Sequence, residues 1–104
     1  MKIKEKIDFN SMLVDCLGCK WTIVLMEQIG KGINRPGKLV KSNDSLSTKV
    51  LNQCLKRMME YKIIEKKSFS QIPPKVEYYL TPFGRELSKI LSEIKSLQIK
   101  YLRS

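Results

Sequence analysis

The stretch Ser45–Lys67, SLSTKVLNQCLKRMMEYKIIEKK, changes its hydrophobic period partway along, and this change decides the fold. Its first part repeats apolar residues at helical spacing, which predicts a helix with one buried face. Ser47 is a residue type that caps helix N-termini, so we expect the helix to run from Ser47 to about Tyr61. Beyond it, Ile63–Phe69 has the pattern of a strand.

A second strand is predicted at Lys75–Leu80, KVEYYL, and the intervening SQIPP suits a loop because of its prolines. The two strands form a hairpin. Thr81 and Pro82 then provide a cap and a first-turn proline for a last helix. Its apolar residues alternate in steps of three and four, a pattern that favours pairing with a second helix. They are Leu87, Ile90, Ile94, Leu97 and Tyr101.

Upstream, helices are predicted over residues 8–17, 20–30 and 35–42, with a turn at 43–45. A tight turn between two helices, followed by a basic hairpin, indicates a winged helix-turn-helix. The fold class is therefore mainly α with a small β-hairpin, dimerising through its terminal helices. We expect one DNA-binding domain over residues 1–104, of which about 81–104 form the dimerisation helix.

The charge of the chain points to a polyanionic partner. Its 104 residues carry a formal net charge of +10, which favours nucleic acid over a merely basic surface or an anionic membrane. No apolar run approaches the length of a membrane span, and MKIKEKIDFN lacks the apolar stretch of a signal peptide. We expect double-stranded DNA as the partner, no membrane, and a cytoplasmic location.

The predicted Ser47–Tyr61 helix has a polar face suited to DNA. Asn and Gln side chains pair with adenine, Lys reaches guanine or phosphate, and a helix N-terminus attracts phosphate. The alternative is an ordinary solvated helix face. The candidate recognition residues are Ser47, Thr48, Lys49, Asn52, Gln53 and Lys56.

The hairpin and the third helix offer contacts to the DNA backbone. Lysines beside a wing bind phosphates. The alternative is that they keep an exposed strand edge from pairing with another chain. Arg35 opens the third helix and is either a backbone clamp or a surface residue. The candidate wing and backbone residues are Arg35, Lys67, Ser70, Gln71 and Lys75.

A CxxC pair, Cys16 and Cys19, lies in Asp15–Trp21, DCLGCKW. A thioredoxin-type pair follows a strand, whereas helical residues flank this one. Lys20 and the nearby helix start lower a thiol pKa, so a redox-active pair remains an alternative to two small apolar fillers. Three Cys and no His cannot complete a zinc site within one chain. We expect no cofactor and no metal.

The same sequence offers no enzyme site. It contains no His, no paired carboxylates and no glycine-rich phosphate loop. We therefore predict a sequence-specific regulator that is not an enzyme and binds a pseudo-palindromic operator as a homodimer. The alternatives are a thiol-based redox protein acting through Cys16 and Cys19, or a redox-responsive form of the regulator. A small-molecule or redox effector stays unidentified.

Several segments, in this order, resemble the HxlR family of winged-helix transcription regulators, relatives of the MarR type. GCKWT (18–22) is similar to the family's G-G-K-W-T, and Arg35 and Leu39 to its R-F-x-E-L segment. Ser45–Lys67 is similar to I-S-x-K-x-L-x-x-x-L-K-x-L-x-x-x-G-L-I-x-R. The most specific match is Pro73–Leu87, PPKVEYYLTPFGREL, to P-P-x-V-E-Y-x-L-T-x-x-G-x-x-L. The resemblance implies a DNA-binding regulator over roughly residues 8–100.

The chain departs from the family pattern at several positions. Many members carry a redox-sensing Cys in the first helix, where this chain has Asp8, so the resemblance implies no sensing thiol there. Cys19 stands where the family has Gly. Tyr61-Lys62 and Pro36-Gly37 replace the usual residues before the first strand and in the third helix.

Overall fold

A computed structural model describes residues 8–102. Residues 1–7 and 103–104 lie outside the described residues. Two predictions extend over them: that MKIKEKIDFN is not a signal peptide, and that one domain spans residues 1–104. The elements follow the predicted order of helices, hairpin and final helix. They are α1 (Phe9–Met12) with a π-helical turn (Leu13–Leu17), α2 (Thr22–Gly30), α3 (Pro36–Lys41), α4 (Thr48–Glu60), β1 (Ile64–Phe69), β2 (Lys75–Leu80) and α5 (Pro82–Leu102).

The predicted helix caps are confirmed by their hydrogen bonds. The Ser47 hydroxyl accepts a hydrogen bond from the Val50 amide at 3.1 Å and so fixes where α4 begins. The Thr81 hydroxyl accepts from the Gly84 amide at 2.9 Å at the start of α5. Pro36 occupies the first turn of α3, where its missing N–H costs nothing.

The first predicted helix is not regular over 8–17. Only Phe9–Met12 is α-helical, and Leu13–Leu17 widens into a π-helical turn. The Gly18 amide donates to the Leu13 carbonyl at 2.7 Å, one residue further back than an α-helix allows. A Cβ at Gly18 would lie 3.0 Å from the Val14 carbonyl oxygen, so glycine lets this turn close tightly.

One hydrophobic core lies between α2, α3, α4 and the base of the hairpin. Its fully buried members come from each of these elements, and the side of α4 that was predicted to be apolar supplies several of them. Trp21 is half-buried and packs against this core from the start of α2. The largest buried side chains are Leu25, Met26, Leu39, Leu51, Leu55, Met58 and Ile63.

The hairpin pairs antiparallel with Ile64 opposite Leu80 and Phe69 opposite Lys75. This register puts Lys67, Glu77 and Tyr79 on one face, since side chains alternate along a strand. Tyr78 points to the other face and is buried, and its amide donates to the Asn34 carbonyl at 2.9 Å. The wing is therefore anchored to the loop before α3.

The final helix packs on the hydrophobic core only along its first half, and further along Lys95 lies 3.8 Å from the Glu27 carboxylate of α2. It packs against α2 and β2, and Leu87 and Leu91 lie partly buried against the core. Every residue from Ser92 to Leu102 is exposed. At about 1.5 Å per residue, this outer part extends roughly 16 Å beyond the last core contact.

Candidate nucleic-acid interface

The turn between α3 and α4 is held by one buried side chain. Asn43 exchanges two hydrogen bonds with the Gln28 side-chain amide of α2, at 2.9 and 3.2 Å. Its amide nitrogen also donates to the Leu39 carbonyl at 2.7 Å. These contacts fix the angle between α3 and α4, which sets how α4 projects from the domain.

The outer face of α4 carries all six predicted recognition residues, and each is exposed. Ser47, whose oxygen caps the helix, still has its hydroxyl hydrogen free to donate. The opposite face is buried, so the helix cannot rotate without losing core contacts. The exposed residues are Ser47, Thr48, Lys49, Asn52, Gln53 and Lys56.

The C-terminal end of α4 is tied to the π-helical turn. Arg57 donates to the Asp15 carbonyl at 3.2 Å, and the Tyr61 hydroxyl donates to the Asp15 carboxylate at 2.8 Å. The hydrogen bond to Asp15 is the main cause that raises the pKa of Tyr61 to about 12. The Arg57 side chain is thereby held against the π-helical turn, so Lys56 is the last exposed basic residue of α4.

One face of the wing presents stacked cations. The Lys67 ammonium lies 4.9 Å from the centre of the Tyr79 ring, and the Lys75 ammonium 4.7 Å from that of Phe69. Cations over aromatic faces are held in place without losing their charge. The predicted wing residues Lys67 and Lys75 therefore sit on the same side of the hairpin.

Glu77 joins this wing face to α3. Its carboxylate lies 3.4 Å from both the Arg35 guanidinium and the Lys75 ammonium, and it accepts a hydrogen bond from the Tyr79 hydroxyl. The Tyr79 hydrogen bond is the main cause that lowers the pKa of Glu77, helped by the two cations. The structure thus brings Arg35 and Lys75 together around one anion, and Lys67 lies opposite that residue in the strand pairing.

The wing tip holds the two remaining predicted residues. Ser70 and Gln71 are exposed between the strands. Ile72 beside them is fully exposed, which is unusual for an isoleucine and was not singled out from the sequence.

The three cysteines are all free thiols, and the recorded sulfur contacts do not join Cys16 to Cys19. The buried Cys16 sulfur lies 4.0 Å from the Thr22 hydroxyl. The half-buried Cys19 sulfur lies 3.7 Å from the sulfur of Cys54, on the inner face of α4. Redox activity of Cys16 and Cys19 stays a prediction, and the sulfur contact adds Cys54 as a partner that the spacing did not indicate.

The residues predicted to form the dimer interface differ in their exposure. Leu87 is partly buried within its own domain, whereas the other four are 53–66% exposed, one beside the last core contact and three along the protruding half of α5. Those four are Ile90, Ile94, Leu97 and Tyr101. The structure places them on one continuous element, and their role in a dimer stays a prediction.

Residues 8–102 were also considered as a site for metal ions and as a membrane span. No group of three or more His, Cys, Asp or Glu side chains could hold a metal ion there. Within the same part of the chain, no single helix is long and apolar enough to cross a membrane. Phe9–Leu17 and Thr22–Gly30 are together long and apolar enough, but the two segments meet at an angle of 85°.

Glu77, Asn43 and Cys54 were not predicted as site residues. Strand register alone places Glu77 opposite Lys67. The presence of an acidic residue among the wing lysines could therefore have been predicted from the sequence. Asn43 was predicted only as a turn residue, and its burial depends on where Gln28 of α2 lies. Cys54 was assigned to the apolar face, and nothing local indicates which thiol faces it.

The exposed helix of a helix-turn-helix, flanked by a basic wing, defines a winged helix-turn-helix transcription regulator. The family model described as HxlR-like helix-turn-helix matches residues 16–104. The chain belongs to the HxlR-like family, which confirms the resemblance and the predicted winged helix-turn-helix fold, while dimerisation through the terminal helices stays a prediction. Its relatives are transcriptional regulators and not enzymes.

Individual relatives agree in sequence and in shape. The chain is 36% identical over 90 residues to uncharacterized HTH-type transcriptional regulator sll1512 of Synechocystis sp. (strain ATCC 27184 / PCC 6803 / Kazusa), covering 86% of this chain and 67% of that protein. The crystal structure of the HTH-type regulator ytcD is 26% identical with a TM-score of 0.81, covering 93% of this chain and 99% of that one. The redox regulator HypR in its reduced form is 28% identical with a TM-score of 0.77, covering 88% and 91%.

Proposed function

We propose that this regulator binds double-stranded DNA sequence-specifically, as a homodimer on a pseudo-palindromic operator in the cytoplasm. The observation that carries the proposal is the α4 face, on which six polar or basic residues are exposed while the opposite side is locked into the core. Side chains of these types make base and phosphate contacts in a major groove.

The two parts of the surface have different roles. Lys49 and Asn52, on the exposed face of α4, supply base contacts and so set sequence preference. Lys67 and Lys75 on the wing hold phosphates, which adds affinity without sequence information. Arg35 joins them as a backbone contact when phosphate replaces Glu77 as its partner.

The dimer follows from the apolar half of α5. Four large side chains of α5 are more than half exposed, three of them beyond the last core contact, and pairing with the same helix of a second copy buries them. A two-fold dimer presents two α4 helices to half-sites about one DNA turn, or roughly 34–36 Å, apart. The operator is therefore an inverted repeat.

A titration of fluorescent DNA with protein at several salt concentrations tests this division of roles. Lys67→Ala and Lys75→Ala should weaken binding to every sequence and each reduce the salt slope by about 1. Asn52→Ala should alter sequence preference and leave the salt slope unchanged. Lys89→Ala, which removes one exposed charge from α5, is the matched control.

Two results would contradict the proposal. One is wild-type protein that binds no DNA even at low salt. The other is an effect of Lys89→Ala as large as that of the wing variants, because binding would then follow net charge rather than the wing.

A second candidate is a redox-responsive form of this regulator. It is favoured by the 3.7 Å contact between the Cys19 and Cys54 sulfurs and by the likeness to HypR, which is described as a redox regulator. HypR in its oxidized form is also similar, at 29% identity and a TM-score of 0.75. A thiol-based redox protein without DNA binding fits the family less well.

A further inference from the structure

The sulfurs of Cys19 and Cys54 touch, although 35 positions separate them in the sequence. Cys19 precedes α2, and Cys54 lies in the middle of α4. We propose that Cys19 and Cys54 form a disulfide within one chain when a hydroperoxide or a low-molecular-weight disulfide oxidises the protein. The bond fixes α4 to the start of α2 and lowers DNA affinity.

The geometry favours this pair over the CxxC pair. A disulfide needs the two sulfurs about 2.05 Å apart, so the 3.7 Å contact must close by about 1.7 Å. Cys16 is fully buried, and its sulfur is directed to the Thr22 hydroxyl. Oxidation of Cys16 with Cys19 would first have to break that contact.

The two thiols differ in exposure and in pKa, so one can react with an oxidant first and the other can then close the disulfide. Cys19 is half-buried, whereas Cys54 is only 3% exposed. Burial raises the pKa of Cys19, but hydrogen bonds from the Trp21 amide, Cys54 and Thr22 outweigh it, so the pKa lies below the usual value. Burial, with the Cys19 hydrogen bond, raises the pKa of Cys54 to about 11.

The reaction with a hydroperoxide balances in two steps. The Cys19 thiolate attacks one peroxide oxygen, the O–O bond breaks, and an alcohol leaves once protonated, so Cys19 becomes a sulfenic acid. The Cys54 sulfur then attacks the Cys19 sulfur and expels hydroxide, which takes the Cys54 proton and leaves as water. Both thiols are oxidised by one electron each, and the peroxide is reduced by two.

A low-molecular-weight disulfide gives the same bond by exchange. The Cys19 thiolate attacks it and releases one thiolate. The Cys54 sulfur then attacks the Cys19 sulfur of the mixed disulfide, and the second thiolate leaves as a thiol after taking the Cys54 proton. In both routes Cys19 reacts first, because it is the more exposed thiol and the one with the lower pKa.

The effect on DNA rests on the proposed function. Cys54 lies directly after the exposed Asn52 and Gln53, so drawing its sulfur inward shifts the part of α4 that faces the bases. Losing one good base contact lowers affinity by about tenfold. We expect the oxidised protein to bind its operator at least that much more weakly than the reduced protein.

Peptide mapping tests the bond without any DNA. The whole protein is treated with hydrogen peroxide, or separately with oxidised glutathione, and remaining thiols are alkylated after denaturation. Digestion and mass spectrometry should give a Cys19–Cys54 linked peptide and an alkylated Cys16, from protein that runs as a single chain on a non-reducing gel. A Cys16–Cys19 link, a link between two chains, or three alkylated thiols would each overturn the proposal.

Matched variants separate this bond from the other thiols. Cys16→Ala should keep the Cys19–Cys54 link, whereas Cys19→Ser, at a half-buried site, should abolish it. Circular dichroism confirms that each variant is folded before it is compared. A Cys16→Ala protein that is folded but no longer forms the link would contradict the assignment.

The DNA assay is then run on reduced and oxidised protein. Oxidation should weaken binding about tenfold or more, a reductant should restore it, and Cys19→Ser should show no change. If the link forms and affinity stays constant, the regulatory part of the proposal is wrong. If reduced protein binds no DNA, the proposed function fails while the mapped disulfide stands.

Discussion

Gly84 should be the glycine at which an added methyl group harms the domain most. It lies in the first turn of α5, and a Cβ there would stand 2.1 Å from the Ile63 carbonyl oxygen. That carbonyl accepts hydrogen bonds from the Thr81 amide at 3.0 Å and the Thr81 hydroxyl at 3.2 Å. It cannot move aside without breaking the junction between β1 and α5.

The expected magnitude follows from two opposing effects. Forcing an extra carbon into a packed site costs about 1–3 kcal/mol or more, and alanine returns about 1 kcal/mol of helix propensity. Because the clash is with fixed backbone, we take the upper end and expect Gly84→Ala to lose about 2 kcal/mol. For a domain of this size the midpoint of thermal unfolding falls by roughly 8–16 °C.

Gly37→Ala is the matched control, since a Cβ there meets nothing within 4 Å. It should gain about 0.5–1 kcal/mol from helix propensity alone. Both variants are melted by circular dichroism at one protein concentration, because the proposed dimerisation would make the midpoint concentration-dependent. A Gly84→Ala protein as stable as wild type would refute the close packing of α5 against the Ile63 backbone.

Three further predictions concern the wing, the dimer and the turn. Glu77→Gln should raise DNA affinity several-fold in anisotropy titrations, because it frees Arg35 and Lys75 for phosphate; unchanged or weaker binding would count against it. Ile94→Glu should convert the proposed dimer to monomer in sedimentation, since it puts a charge on the apolar half of α5, and a persisting dimer would place the interface elsewhere. Asn43→Ala should lower the free energy of unfolding in urea by about 1–3 kcal/mol, because it leaves the Leu39 carbonyl without its partner, and an unchanged midpoint would contradict that role.

Local signals explain why most of the fold was predictable. Ser47 and Thr81 are caps whose partners lie within three residues, so the starts of α4 and α5 are fixed by nearby sequence. The β2 strand matches its predicted span because alternation and the flanking prolines bound it. The π-helical turn was missed, because helical periodicity does not distinguish a widened turn from a regular one.

The site was predictable only as a set of exposed polar positions. The α4 face follows from the helical period, which also places Lys49 and Asn52 outward. The pairing of Cys19 with Cys54, and of Arg35 with Glu77, joins residues about 35–42 positions apart. Such contacts depend on how α2, α4 and the wing pack together, and no local pattern encodes them.

The central claim is that the outer face of α4 reads DNA sequence. Selection from a random double-stranded DNA library, with wild type and Asn52→Ala in parallel, tests it most directly. Wild type should enrich an inverted repeat with half-sites one helical turn apart, and Asn52→Ala should lose preference at one symmetric base pair in each half-site. An identical enriched motif for both proteins, or no enriched motif for wild type, would contradict the account.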